Sequence, residues 1–276
     1  NGGVLPIQVS TGGVNFTGTV TGLPASGAGL INGSSADTLQ SAAALTTTAA
    51  VTTGIDAIAL GNGAAADAEA VAIGKSTSTT NGNGVAIGNN ANGGEQAVGI
   101  GKNANASTKS AIAIGTDATA NNLQSIAIGQ DSDMTGAYGI AIGKTAQATG
   151  EQAIVLGSDT TASASLSLAV GYSAEATSER NVALGYDAVA GGDQAFARQN
   201  TAIGSATIAN NEQDTAVGAG ATATGSRSTA IGAGADATGS RAVVVGSESS
   251  ATAFSSCVFG AFSTATAEGA TVVGGY

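Results

Sequence analysis

Residues 111–143 read AIAIGTDATANNLQSIAIGQDSDMTGAYGIAIG, and within them a short apolar run ending in glycine returns every fourteen positions. The same run marks sixteen positions of the chain, here called the marker glycines: Gly61, Gly74, Gly88, Gly101, Gly115, Gly129, Gly143, Gly157, Gly171, Gly185, Gly204, Gly218, Gly232, Gly246, Gly260 and Gly274. Of the fifteen intervals between them, twelve are 14 residues long, two are 13 and one, from Gly185 to Gly204, is 19. So regular a register predicts a repeat protein of about sixteen units.

Each repeat contains a second stretch of small residues after its marker glycine, as at Ala118 and Ala120. Both stretches alternate with a period of two, which is the period of a β-strand, and frequent glycine and β-branched residues disfavour a helix. We therefore predict an all-β fold, a parallel β-roll or solenoid of about sixteen coils. Each coil should hold two strands of about five residues and two tight turns, and the stack should be about 75 Å long.

The alternation divides each repeat into two faces. Ala111 and Ala113 face one way and Ile112 and Ile114 the other, and alanine suits the thin interior of such a coil. The branched side chains would then form an outward stripe too large for a soluble monomer, which predicts a buried partner surface. The opposite arrangement, with Ile and Val inside the coil and alanine at the interface, fits the same alternation. The sequence therefore leaves both arrangements open. The predicted interface or core ladder comprises Ile58, Leu60, Ile73, Ile87, Ile112, Ile114, Ile126, Ile128, Ile140, Ile142, Ile154, Leu156, Val182, Leu184, Ile203, Val217, Ile231, Val245 and Phe259.

Composition argues against several classes of function. The net charge is −11 with only eight basic residues, so nucleic acid is a poor candidate partner. There is no histidine and no convergent set of carboxylates, so we predict no enzyme, no catalytic residue, no metal site and no cofactor. The single cysteine, Cys257, cannot form an internal disulfide. It lies in the phase of the Ile ladder and is expected to be buried and inert; the alternative is that it approaches the thiols of two further copies at a threefold axis. No run of eighteen apolar residues occurs, which predicts no direct membrane insertion by this segment.

Four segments are predicted along the chain. Residues 1–54 form an N-terminal connecting segment of short β stretches and linkers, residues 55–190 the first β-roll block, residues 191–200 an insertion loop, and residues 201–276 the second block. The last 23 residues contain Phe254, Phe259, Phe262 and Tyr276, which predict an aromatic-rich C-terminal cap; a receptor-binding tip is the alternative.

Three groups of residues are candidates for binding, each with a structural alternative. Phe196 and Arg198 lie in the insertion, which is either a binding loop or a tolerated bulge. Tyr172 and Tyr186 directly follow marker glycines and should stack, either for sugar binding or simply as cross-strand neighbours. Arg227 and Arg241 share a turn column with Arg180, either as a basic ladder or as solvated residues paired with carboxylates such as Glu179.

The motifs SIAIG at 125–129 and NVALG at 181–185 resemble the head repeats of trimeric autotransporter adhesins of the YadA type. The resemblance covers roughly residues 55–276 and implies a left-handed β-roll assembled as a homotrimer. It also implies a non-enzymatic surface adhesin head that binds a host-cell or surface receptor, protein or glycan. Its location would be extracellular, on an outer membrane-anchored fibre or a virion. The alternative is a segment of a phage tail fibre; ice binding is a distant one, because the Thr column at Thr222 and Thr264 is too irregular.

Overall fold

A computed structural model describes residues 50–192 and 198–275, together with the backbone of four short strands nearer the N-terminus. Phe196 and Tyr276 lie outside the described residues. The N-terminal strands are β1 (Gln8–Ser10), β2 (Gly13–Asn15), β3 (Leu30–Asn32) and β4 (Leu39–Ser41). From residue 50 onward, the described residues form no helix and follow one repeating path of a two-residue strand, a turn, a three-residue strand and a second turn.

The three-residue strands form one sheet, here called the long-strand sheet. They are β6 (Ile58–Leu60), β8 (Val71–Ile73), β10 (Val85–Ile87), β12 (Val98–Ile100), β14 (Ile112–Ile114), β16 (Ile126–Ile128), β18 (Ile140–Ile142), β20 (Ile154–Leu156), β22 (Leu168–Val170), β24 (Val182–Leu184), β26 (Thr201–Ile203), β28 (Thr215–Val217), β30 (Thr229–Ile231), β32 (Val243–Val245), β34 (Cys257–Phe259) and β36 (Thr271–Val273). Each pairs in parallel with the strand one coil before and one coil after it.

The two-residue strands form the opposite wall, here called the short-strand sheet. They are β5 (Val51–Thr52), β7 (Ala65–Ala66), β9 (Ser78–Thr79), β11 (Asn92–Gly93), β13 (Asn105–Ala106), β15 (Thr119–Ala120), β17 (Asp133–Met134), β19 (Gln147–Ala148), β21 (Thr161–Ala162), β23 (Glu175–Ala176), β25 (Val189–Ala190), β27 (Ile208–Ala209), β29 (Thr222–Ala223), β31 (Asp236–Ala237), β33 (Ser250–Ala251) and β35 (Thr264–Ala265). This sheet is also parallel throughout. The predicted parallel β-solenoid of about sixteen coils is confirmed.

The strands are shorter than the predicted five residues because the turns occupy most of each coil. The residue two positions after the marker glycine is left-handed, as at Asp117 (φ 57°) and Asp131 (φ 55°). The residue five positions before the next marker is left-handed too, as at Gln124 (φ 52°). Asn and Asp tolerate this conformation better than other non-glycine residues, and they recur at these positions. Two left-handed reversals per coil leave only three and two residues free to pair.

Alanine lines the interior, which decides between the two arrangements that parity left open. Ala113, Ala118 and Ala120 are completely buried, as are nearly all alanines at the equivalent positions. The larger interior side chains are accommodated individually. The Met134 thioether, for example, occupies the space into which a Cβ on Gly139 would project. The interior is therefore close-packed but too narrow for a ladder of branched side chains.

The N-terminal strands continue into the roll. β3 and β4 pair antiparallel, and β4 then pairs in parallel with β6 through Leu39 and Ile58. In the other wall, β5 pairs with β7. The two sheets of the roll thus already include residues N-terminal to the predicted block limit at residue 55.

At the marker glycines the backbones of successive coils approach closely. Their φ angles lie between 129° and 158°, a region that side-chain-bearing residues rarely adopt. A Cβ on Gly129 would also overlap the carbonyl oxygen of Gly143 in the next coil. A side chain at this position therefore meets backbone that cannot move without disturbing the stack.

We expect G129A to lower the free energy of unfolding by about 3 kcal/mol or more, since backbone strain and a backbone clash add. The matched control is G220A, where φ is +65° and a Cβ would meet nothing within 4 Å. That substitution should cost only about 1 kcal/mol. Denaturant unfolding followed by circular dichroism measures both, and equal losses would contradict this explanation of the repeat.

Candidate binding surfaces

The outward side of the long-strand sheet is apolar along the roll, and we call it the apolar face. Every residue of the predicted ladder, from Ile58 to Phe259, lies on it, and none is buried in the interior. In the single chain these side chains are half-buried or exposed; Leu156, for example, is 39% exposed. The column nearer the preceding turn changes from Ile, Leu and Val to threonine at Thr201, Thr215 and Thr229.

Cys257 also lies on the apolar face, in line with Val243 and Thr271. It is half-buried in the single chain. Its parity places it on the outside, beside the buried residue Val258, in the same phase as the predicted ladder, and its complete burial stays a prediction.

The described aromatics of the C-terminal segment also lie on the outside. Phe259 is on the apolar face, and Phe254 and Phe262 lie in turns, where Phe262 is 66% exposed.

Tyr172 and Tyr186 form a stacked pair, as predicted. Their ring centroids are 5.6 Å apart with 13° between the ring planes, and both residues are more than half exposed. The two turns are joined by a backbone hydrogen bond from the Asp187 N–H to the Tyr172 carbonyl. The charge of Asp187 is the largest of several causes that raise the pKa of Tyr186 above its ordinary value. The pair presents an aromatic surface beside a carboxylate, although its stacking alone also explains it.

All four arginines of the chain lie on one edge of the roll, in the turns that lead into the long-strand sheet. Arg227 bonds Glu212 at 3.2 Å, and Glu179 lies 3.4 Å from Arg180 and 4.0 Å from Arg198. Arg241 instead lies over the ring of Phe254, 5.5 Å from its centroid. The predicted pairing with carboxylates therefore accounts for three of the four.

The insertion does not interrupt either sheet. Val182 pairs with Thr201 across it in the long-strand sheet, and Val189 pairs with Ile208 in the short-strand sheet. The extra residues of the 19-residue coil therefore fall in the sequence between β25 and β26. Beside that turn, a shallow groove of about 540 Å³ is lined by Glu175, Thr177, Val189, Gly191, Gly192, Ile208 and Asn210.

A buried polar ladder runs through the coils around the insertion, and sequence reasoning missed it. Asn181, Asn200, Asp214 and Ser228 are completely buried in successive coils. Each of the first three side chains accepts from the backbone N–H of the next residue in the ladder, at 2.8–2.9 Å. The detectable signal is the position four before the marker glycine, which is alanine, glycine or serine elsewhere and becomes Asn or Asp here. The ladder holds the coils in register where the chain length changes.

Burial raises the pKa of Asp214, against hydrogen bonds from Ser228 and Asn211 that favour its charged form. A carboxylic acid whose pKa is higher in the folded than in the unfolded chain stabilises the fold fully at a pH below its unfolded pKa. That stabilisation is lost as the pH rises through the folded pKa. The sensitive window therefore begins near the ordinary carboxyl pKa of 3.8 and extends upward.

We expect D214N to gain stability relative to the unsubstituted chain as the pH is raised from about 3 to about 7, because the amide is never ionised. Thermal unfolding across that range measures the difference. D131N, which removes an exposed carboxylate, controls for the change in net charge. A difference that is constant with pH would contradict the raised pKa.

The described residues contain no cluster of three or more His, Cys, Asp or Glu side chains arranged to hold a metal ion. Within residues 50–192 and 198–275, no helix reaches the length and hydropathy needed to cross a bilayer. The described surface therefore presents polar turns, two exposed tyrosines, an edge that carries arginines, and the apolar face.

These features define a parallel β-solenoid with an alanine-lined interior and an outward apolar face. The model of the YadA head domain repeat matches residues 48–64, 52–70, 68–91, 93–118, 109–132, 135–160, 182–197, 209–235 and 223–249. The chain belongs to this family, as the repeat motifs suggested. YadA-type heads are surface-exposed adhesin domains and not enzymes. The comparison with curated proteins finds no significant match.

Proposed function

We propose that this chain is a non-enzymatic attachment head that works as a homotrimer on an extracellular fibre. The observation that carries the proposal is the apolar face. Its two outward columns run along sixteen coils, so its area is on the order of 750 Å² at about 4.8 Å per coil and about 10 Å of width. Monomers rarely expose a patch of that size, and stable interfaces bury about 800 Å² per partner.

Three copies around a common axis satisfy this surface with the least rearrangement. Each roll is thin and has one apolar wall, so three rolls can turn that wall inward and keep both turn edges and the short-strand sheet in water. YadA-type heads associate as trimers in general, which supports the same stoichiometry. The domain assignment belongs to this proposal: residues 1–54 connect the head to its fibre and contribute β4 and β5 to the first coils, residues 55–190 and 201–276 are the two blocks, and residues 191–200 form a loop between them.

We expect the chain to sediment as three copies and I114K/I128K to sediment as one, because two lysine ammonium groups in the apolar face would lose their hydration in the trimer. The matched control is T119K, which adds a lysine to the outer side of the short-strand sheet and should leave the trimer intact. Sedimentation velocity gives the mass, and circular dichroism checks folding. A monomeric wild-type chain, or a trimeric I114K/I128K, would contradict the assignment.

Attachment is the second part of the proposal, and trimerisation supports it by presenting three copies of every surface site. Three weak sites held on one rod bind a repetitive surface far more tightly than one site does. The regular turns are suited to this role, because both edges of the roll repeat the same spacing over many coils.

Beads coated with the trimer should be retained under flow on at least one surface of a panel that includes animal cells, bacterial cells, matrix proteins, glycans and bare polystyrene. Beads coated with serum albumin are the control. Retention no better than the control on every surface would count against an attachment role, whatever the stoichiometry.

A further inference from the structure

We propose that the turn edge carrying Arg180, Arg198, Arg227 and Arg241, here called the arginine edge, binds an anionic polysaccharide. This inference names a ligand class for the proposed attachment function and so rests on it. The edge comprises the turns of residues 178–180, 198–199, 211–213, 225–227 and 239–241, which lead into five successive strands of the long-strand sheet.

These turns are stacked directly on one another. Backbone hydrogen bonds run from Gln199 N–H to the Glu179 carbonyl at 3.1 Å, from Gln213 to Arg198 at 2.9 Å, and from Arg227 to Glu212 at 2.6 Å. The Arg241 N–H continues the stack by donating to Ser226 at 3.0 Å. Five turns about 4.8 Å apart place the four guanidinium groups along a line of about 19 Å.

The arginine edge is positive although the chain as a whole carries a net charge of −11. The described carboxylates of these turns are Glu179 and Glu212, against four guanidinium groups. The opposite edge of the same coils carries Asp187 and Glu248 and no basic residue. A flexible polyanion would be repelled by most of the molecule and attracted to this one line.

The C-terminal end of the edge is the part best suited to a ligand. Arg241 has no carboxylate within 4 Å among the described residues and is exposed. Its guanidinium and the 45% exposed ring of Phe254 form one contiguous surface. The exposed hydroxyl-bearing residues Thr238 and Thr252 lie immediately before these two turns.

This combination matches the chemistry of a charged sugar polymer. Guanidinium groups bind sulfate or carboxylate through two parallel hydrogen bonds, which ammonium groups do not do. An exposed aromatic ring offers an apolar surface to the face of a pyranose, and threonine hydroxyls can exchange hydrogen bonds with sugar hydroxyls. The repetition of the turns along the roll suits a linear polymer better than a small anion.

The test is binding of the purified full chain to immobilised heparin (sulfated), polygalacturonate (carboxylated) and dextran (neutral), with single-stranded DNA as a fourth ligand. We expect binding to heparin, polygalacturonate or both, weakening with added salt because the contacts are solvent-exposed. R227A/R241A should weaken it about tenfold or more, since hydrogen bonds between charged groups are lost. Whether heparin or polygalacturonate binds more tightly separates sulfate from carboxylate recognition.

The matched control is K75A/K102A, which removes the same charge from the opposite edge and should leave binding unchanged. As a second test, E212Q should strengthen binding, because it releases Arg227 from its carboxylate partner. Failure of both charged polysaccharides to bind, equal binding to dextran, equal losses in the two double variants, or DNA binding as tight as heparin binding would overturn the assignment. If the chain is trimeric and its beads adhere while heparin and polygalacturonate do not bind, only the ligand class fails.

Discussion

The structure depends on how closely two strands of one coil can approach each other. Ala113, Ala118 and Ala120 fill the space between the walls completely, and the marker glycines bring the backbones of successive coils into direct contact. Larger interior side chains occur singly: Met134 occupies the space beside Gly139, and Val155 and Val244 are also completely buried. So thin an interior buries little apolar surface per residue, and much of the cohesion must come from parallel backbone pairing along the two walls.

The outward apolar face follows from the same constraint. Strand residues alternate between the two sides of a wall, so once alanine occupies the inner side the isoleucines must lie on the outer side. In a thick domain these residues would form the core. Here they cover one wall of the roll, where the proposed contact between chains would bury them. In the proposed trimer, association would supply the hydrophobic burial that the thin interior cannot.

The residues that depart from the repeat have roles other than the stacking of coils. Around the insertion, Asn181, Asn200 and Asp214 replace small residues in the interior, and their side chains bond the backbone of the next coil. Beyond them, the arginines collect on a single edge while the opposite edge keeps its carboxylates. The repeat supplies a rod with regularly spaced turns, and the side chains in those turns are free to vary because they do not touch the interior.

The fourteen-residue period by itself determined the fold class, the number of coils and the parallel stacking, because each repeat alternates with the period of a strand and identical short strands are stabilised by stacking. The family could be recognised from the same motifs. The sequence did not decide which face of each strand lies inside, because both arrangements fit the same alternation. The folded chain decided it, because the narrow coil selects alanine for its interior. The length of the strands and the contact between Arg241 and Phe254 also required the tertiary structure. Each depends on where the left-handed turns place residues that are fourteen or more positions apart in the sequence.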